Sequence, residues 1–254
     1  MSIPYYETSA ILSEYLFFHY GKSSDYLPFS EGPHHALEFP RRIVERGLAG
    51  VYTGAEGDSM PLAARALDLG CAVGRSSFEL SRFCQEVIGI DYSAAFVQAA
   101  QVIQKEKKIT LPVVSEVGKT KEVTVEIPLG VFPERVQFYQ GDAMNLSTDY
   151  GMFDILLAGN LIDRLPDPKI FLQGIGSFIK QGGILILTSP YTWMESFTPR
   201  EKWLTLEGEN FEALQKILTA DYEFQKREEM PMLIREHHRK YQWTVSEMTV
   251  WRKK

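Results

Sequence analysis

From residue 64 onward, short apolar runs alternate with stretches of helical character: ALDLG, SFELSRF, VIGID, AFVQAAQVI, VQFYQGD, FDILLAG, IFLQGIGSFI and ILILTS, in that order. Apolar runs of strand length separated by helices are the pattern of βαβ units, which build a parallel sheet. After a helical segment at residues 208–218, the runs DYEFQKREEM and YQWTVSEMTVWRK follow each other with no helix between them. Strands joined that way pair antiparallel. Residues 113–127, VVSEVGKTKEVTVEI, alternate polar and apolar about a Gly-Lys-Thr-Lys turn, which predicts a β-hairpin inserted between a helix and the next strand, at about 108–132. At the start, the aromatic-rich residues 5–20 predict a helix, residues 21–40 carry the Gly, Pro and Ser punctuation of a loop, and residues 41–48 predict a second helix. The expected architecture is therefore α/β. An N-terminal helical extension or lid over 1–60 precedes a domain over 61–254, built on a mostly parallel seven-stranded sheet with an antiparallel last strand.

Composition narrows the range of functions. With 254 residues, 44% hydrophobic, the chain can bury a full-sized core. No apolar stretch approaches the roughly 20 residues that cross a bilayer, and the opening MSIPYYETSA lacks the basic start and apolar run of an export signal. A cytoplasmic location is expected, away from membranes. Two cysteines, Cys71 and Cys84, form neither a CxxC pair nor a ladder of spacings, which leaves little support for a disulfide framework or a zinc knuckle. A formal net charge of −6 argues against a broad phosphate-binding surface, although residues 235–240 are locally basic. Nucleic acid is not the expected partner.

The strongest chemical signal is LDLGCAVGRSSFEL at residues 67–80, where an apolar strand carrying Asp68 runs through Gly70 and Gly74 into a helix. Glycines there permit positive φ and close approach of a ligand to the main chain. Asp91 ends the next strand, VIGID, 17 positions after Gly74, near the roughly 20-residue offset of a carboxylate that holds a ribose. A third acid, Asp142 in QGDAMNL, ends another strand, and open α/β sheets bind ligands beyond that edge. Taken together, the three acids and two glycines outline an adenosine site.

In these residues the chain resembles the class I methyltransferases that use S-adenosylmethionine (SAM), a Rossmann-like fold. The resemblance assigns the methionine end of SAM to the loop of Asp68, Gly70, Cys71, Ala72 and Gly74. It assigns the ribose to Asp91 with Tyr92, and the adenine to Asp142 with Ala143. The resemblance also places Asn160, following the strand FDILLAG, where related enzymes approach the cofactor. One departure is Ala72, which stands where many members have a glycine. A nicotinamide-dependent dehydrogenase is the rival reading, disfavoured because D-x-G-x-x-x-G is not G-x-G-x-x-G and because Ala72 and Arg75 crowd the place of a pyrophosphate. A non-catalytic SAM-binding protein is the other, since a motif alone does not establish turnover.

Further segments are similar to a narrower family, the thiohistidine N-methyltransferases of ovothiol biosynthesis: YYET at 5–8, EYLFFHYG at 14–21, ALEFPRR at 36–42, GNLIDRLPDP at 159–168, SPYTW at 189–193 and MPMLIREHHRKYQW at 230–243. That resemblance implies a stand-alone enzyme that methylates an imidazole nitrogen of 5-thiohistidine to give ovothiol A, as a monomer or homodimer, with a sulfoxide synthase and a lyase supplied separately. A methyltransferase acting on another small molecule, such as a phenol, is the alternative. Imidazole titrates near 6.5, so a ring lone pair is available at neutral pH without a strong base or a metal. In-line placement at roughly 3–3.5 Å is the main catalytic task, and the pocket must also turn the more nucleophilic sulfur away.

Candidate catalytic residues are Asn160, Asp163 and Tyr6. Asp163 reads equally as a helix cap before Arg164. For the acceptor, Tyr5, Tyr6 and Tyr15 offer rings to stack on imidazole or sulfonium, with core packing as the other reading of Tyr15, while Phe17 and Phe18 are expected in the core. Tyr191 and Trp193 follow ILILTS and are placed to wall the site. Arg42, Arg235 and Arg239 offer guanidinium forks for a substrate carboxylate; each reads equally as solvated, the last two at the turn between the final strands. Adjacent His34–His35 and His237–His238 point to opposite faces if extended, which makes a metal site improbable. His34 and His237 are each a candidate proton acceptor.

Overall fold

The computed structural model describes residues 5–51 and 63–254, apart from the side chains of Tyr5, Leu206 and Glu207. A 3-10 turn over Tyr5–Glu7 leads into α1 (Ser9–Tyr20), whose N-cap Thr8 accepts from the Ile11 amide at 3.4 Å. Short α2 (Ser23–Tyr26) and α3 (Phe39–Leu48) follow. The main domain then runs β1 (Ala63–Leu69), α4 (Arg75–Leu80), β2 (Cys84–Asp91), α5 (Ala94–Glu106), the hairpin β3 (Lys108–Glu116) and β4 (Lys119–Glu126), β5 (Val136–Gln140), β6 (Phe153–Gly159), α6 (Pro168–Gly174), β7 (Ile179–Ser189), α7 (Asn210–Leu218), β8 (Tyr222–His237) and β9 (Lys240–Lys253). The domain boundary expected near residue 60 lies outside the described residues.

Seven strands form one sheet in the order β5-β2-β1-β6-β7-β9-β8, parallel except where β9 runs antiparallel between β7 and β8. Alternate residues of the central strands feed two cores. Ala66, Ile155, Leu157, Ile184 and Ile186 pack toward the N-terminal helices, and Leu67, Leu69, Leu156, Leu185 and Leu187 pack toward α6 and α7. This period-2 division buries both faces of the sheet, as the continuous apolar runs require. The inserted hairpin forms a sheet of its own and packs against α1.

Three expected boundaries change. The N-terminal helix begins at Ser9 rather than residue 5, and α3 begins at Phe39 because Pro40 sits in the first turn, where its missing N–H costs no bond. Strand β8 does not stop near Met230. Pro231 continues it, paired with Val245, and the strand runs on to His237. Proline is tolerated because β8 is an edge strand, so one side of its backbone needs no partner.

Candidate functional site

A cavity of about 820 Å³ opens beyond the carboxyl ends of β1, β2, β5 and β6, roofed by α1, α3 and the N-terminal turn. Its volume suits a cofactor and a small second ligand, within the roughly 300–1,000 Å³ of small-molecule sites.

At one end, the loop after β1 is shaped by three left-handed residues, Gly70 (φ 70°), Ala72 (φ 47°) and Gly74 (φ 86°). Gly74 has a second reason to lack a side chain: a Cβ there would sit 2.6 Å from Phe138 Cζ and 3.1 Å from Ala100 Cβ. The Asp91 carboxylate accepts from the amides of Ala72 at 2.8 Å and Ser93 at 2.9 Å, joining the ends of β1 and β2. Asp68 is buried, and its Oδ2 accepts from the hydroxyls of Ser76 at 2.7 Å and Ser77 at 2.6 Å. Burial pushes the pKa of both acids up to about 6, against these hydrogen bonds. Asp142 is exposed at the rim and accepts from the Met144 amide at 2.8 Å.

Asp68, Gly70, Ala72, Asp91, Tyr92, Asp142, Ala143 and Asn160 all border the cavity. Cys71 and Gly74 stand behind it. The Cys71 thiol is buried, its pKa pushed well up by burial, and its amide donates to the Ile90 carbonyl at 3.1 Å. A loop of left-handed residues with acids at two strand ends could hold an adenosyl group bearing a cationic sulfonium, and Asp91 would then face the ribose hydroxyls and the Gly70–Ala72 backbone the methionine end.

Aromatic rings and a few charged groups also line the cavity. Tyr6 packs on Tyr15 (6.1 Å between centroids), Phe96 (5.8 Å) and Phe197 (6.0 Å), and all four border the cavity. Asn160, left-handed at φ 50°, is locked by Thr188, whose hydroxyl donates to its Oδ1 at 2.9 Å; its Nδ2 lies 3.3 Å from the Met232 sulfur. Asp163 is fully buried. Its Oδ2 accepts from the Thr192 amide at 2.9 Å and from Arg164 at 3.0 Å, while Oδ1 has no hydrogen-bond partner among the described residues. Burial raises its pKa and Arg164 opposes the rise. The structure thus brings Tyr6, Tyr15, Asn160 and Asp163 together. For Tyr5 only the backbone, in the adjoining turn, is described.

Other expected acceptor residues lie elsewhere. The Arg42 guanidinium is spent on the carbonyls of Leu37, at 2.7 Å, and Pro231. Arg235, inside β8 rather than at a turn, is buried with its guanidinium 5.1 Å from the Phe17 ring centroid and does not border the cavity. Arg239 is exposed at the hairpin tip. Tyr191 donates to Glu247 at 2.7 Å and Trp193 to Asn210 at 3.3 Å, both packed on the core near α7. His34 Nε2 lies 2.8 Å from the Phe29 carbonyl, and His237 Nδ1 accepts from the Arg239 amide at 3.3 Å. Neither borders the cavity. Among the described residues no three His, Cys, Asp or Glu side chains gather as metal ligands, and no helix is long and apolar enough to cross a membrane.

The structure also supplies site residues that sequence reasoning missed: Glu7, Glu14, Phe18, His19, Phe39, Arg164 and Phe197. Phe18 was expected in the core. For Glu14 a signal existed, as the only acid within SAILSEYLFFHY. For His19 there was none, because nothing in that helix distinguishes a buried face.

Comparison with known proteins agrees with this geometry. Two family models, each described as a methyltransferase domain, match residues 67–187 and 131–247. The chain is 25% identical over 167 residues to the ubiquinone biosynthesis O-methyltransferase of Azorhizobium caulinodans, covering 65% of this chain and 56% of that one. It is 27% identical over 123 residues to the demethylmenaquinone methyltransferase of Lactococcus lactis, covering 47% and 39%. It spans about half the length of the curated relatives it matches. Among solved structures, the N-methyltransferase NodS of Bradyrhizobium japonicum bound to S-adenosylhomocysteine superposes with TM-score 0.53 at 14% identity, over 95% of this chain and 98% of that one. Bacillus YcgJ superposes with TM-score 0.53 at 14% identity, over 84% and 98%. Residues 67–247 thus match methyltransferase-domain models, and the fold is the one these solved methyltransferase structures share. The chain's cofactor is SAM.

Proposed function

We propose that this protein transfers the methyl group of SAM to an imidazole nitrogen of 5-thiohistidine, forming ovothiol A. The observation that carries the reading is the continuity of the cavity. Acids at strand ends border it together with the aromatic side chains of Tyr6, Tyr15 and Phe18, and Arg164 is also on its wall. Aromatic faces position a flat ring, and Arg164 takes over the carboxylate role first considered for Arg42, Arg235 and Arg239. Its Nη1 donates to Asp163 and to the Thr192 carbonyl at 2.7 Å, which steadies the fork while other nitrogens remain for substrate. Bound SAM supplies an already activated sulfonium methyl, so this chain's residues have to align, desolvate and select the acceptor nitrogen. Asn160, held by Thr188, and Asp163, with its unpartnered oxygen, are the polar groups nearest that task.

A second reading is O-methylation of a phenolic ring. It is supported by the quinone-pathway relatives and by the apolar wall of Phe39, Ile43, Met232 and Ile234. Mass spectrometry after incubation with SAM and a panel of histidine, 5-thiohistidine and phenols separates the two. Selective mass gain by 5-thiohistidine supports the first reading, and turnover of phenols alone replaces it with the second. Absence of S-adenosylhomocysteine with every acceptor would reject both.

A further inference from the structure

Helix α1 presents Glu14, Tyr15, Phe18 and His19 to the cavity, Glu14 with Phe18 and Tyr15 with His19 being i,i+4 neighbours. Two of them carry chemistry to which the function above gives no task. The Glu14 carboxylate is half-buried and makes no hydrogen bond or ion pair with a described residue. Burial, reinforced by the negative charge of Glu236, raises its pKa. His19 is 7% exposed, and its Nδ1 is buried without a hydrogen-bond partner. Burial first, and the Arg75 guanidinium second, push the His19 pKa down to about 3. The imidazole is therefore neutral at working pH and does not neutralise Glu14.

A carboxylate drawn out of water with no counter-charge costs free energy until a cation reaches it. Its surroundings suit one kind of cation. Tyr15 and Phe18 flank Glu14 along the helix, and Phe18 stacks on Phe39 at 6.4 Å, offering π faces to a compact positive charge. Among the described residues no arginine or lysine is ion-paired with Glu14, and the arginine bordering the cavity, Arg164, is already bonded to Asp163.

We propose that Glu14 binds a protonated amine of the methyl acceptor, with the unprotonated His19 ring accepting a second hydrogen bond from the same group. An ammonium has three donors, so a carboxylate and an imidazole nitrogen satisfy two of them. If the acceptor is 5-thiohistidine, as proposed above, the group is its α-ammonium; the inference rests on that reading for the acceptor's identity only. The amine site then separates an amino acid from a neutral phenol, because a phenol leaves Glu14 desolvated and unpaired.

The test uses Glu14→Gln, which keeps the size and removes the charge, and Glu14→Asp, which keeps the charge on a shorter stem. SAM affinity measured by calorimetry reports that each variant is folded and should match wild type. Glu14→Gln should raise KM for 5-thiohistidine about tenfold or more with kcat changed less than about threefold, Glu14→Asp should recover part of the loss, and the des-amino analogue should be bound equally by all three proteins. Unchanged KM in a SAM-binding Glu14→Gln overturns the amine site and leaves the proposed function standing. Wild-type protein that fails to bind 5-thiohistidine overturns the proposed function instead. In that case titration of histidine, histamine and tyramine with S-adenosylhomocysteine present decides the amine site by itself. Binding lost in Glu14→Gln supports it, and no binding of any of these amines by wild type overturns it.

Discussion

The carboxylate of Asp91, at the end of β2, accepts a hydrogen bond from the backbone amide of Ala72, 2.8 Å away in the loop after β1. Ala72 needs that restraint. Its φ of 47° is in the left-handed region, which costs a residue with a Cβ roughly 1–2 kcal/mol. One acid therefore both borders the cavity and holds the turn that shapes the cavity floor.

Replacing Ala72 by glycine should relieve this strain without disturbing the bond from its amide. The gain is expected to be about 0.5–1 kcal/mol, reduced by the extra freedom glycine has in the unfolded chain. Urea denaturation of the apo protein measures it, and calorimetry should find SAM affinity equal or improved. A destabilised Ala72→Gly would mean that the methyl group packs favourably and that the loop is not strained.

Cofactor binding should depend on pH through Asp91. Burial, with Glu7 adding to it, raises the carboxyl to about 6 in the free protein, opposed by the amides of Ser93, Ala72 and Tyr92. Ribose hydroxyls donate to the ionised form and so lower the pKa on binding. Protons are then released on binding, and SAM affinity rises with pH up to about 6 and levels off above it. Calorimetry in buffers of different ionisation enthalpy detects the release. Asp91→Asn should bind more weakly and lose most of the dependence, the remainder belonging to Asp68, which titrates in the same range. A variant as pH-sensitive as wild type would remove Asp91 from the ribose.

The acids at the carboxyl edge are legible in the sequence because strand ends are. Apolar runs ending in Asp68 and Asp91, and QGD at Asp142, fix acids at the carboxyl edge whatever the helices do. The acceptor end depends on which face of α1 turns inward, and a helix of Tyr15, Leu16, Phe17, Phe18 and Tyr20 is aromatic all round, so no polar stripe announces that face. Arg235 was misplaced for a different reason. The apolar-polar run DYEFQKREEM stops at Met230, and the position of β8 at the sheet's edge lets the strand continue through Pro231 and carry Arg235 into the interior. Tyr191 and Trp193 lie in the loop expected after β7, but the chain turns at Tyr191 (φ 52°) and delivers both side chains to the core on the α7 side.

Stability in acid should report His19. Its pKa in the fold, about 3, is below the ordinary 6.5, so the unfolded chain takes up the proton first. The contribution of neutral His19 is intact above about pH 6.5 and is lost as pH falls toward 3, amounting to about 2 kcal/mol by pH 5. Asp68 and Asp91, raised in the fold, shift stability the opposite way between about 6 and 4, so the wild-type curve alone mixes the effects. Comparison with His19→Phe, which keeps a ring and cannot protonate, isolates the histidine. The variant should lose less stability than wild type between pH 7 and pH 5 in urea melts. Parallel loss in the two proteins would show that His19 is protonated as readily in the fold as outside it.

Substrate kinetics should separate Arg164 from Arg235. Arg164 borders the cavity, its guanidinium 5.4 Å from the Phe197 ring centroid and its Nη1 bonded to the Asp163 carboxylate at 3.0 Å. This neighbourhood presents a planar fork, which lysine does not reproduce. Arg164→Lys is expected to raise KM for 5-thiohistidine about tenfold, the usual weight of a charge-assisted pair, while a decarboxylated analogue should show no difference between variant and wild type. Arg235 lies under α1, with none of its guanidinium nitrogens hydrogen-bonded to a described residue, and Tyr26 donates to the Leu233 carbonyl beside it at 3.0 Å. A buried cation without a counter-charge opposes folding. Arg235→Met should therefore raise the urea midpoint and leave both KM values as they were, and Arg239→Lys, on the exposed tip, should change neither. If instead Arg235→Met raised KM for 5-thiohistidine while Arg164→Lys did not, the carboxylate would lie beneath α1, and the acceptor end of the cavity would have to be redrawn around β8.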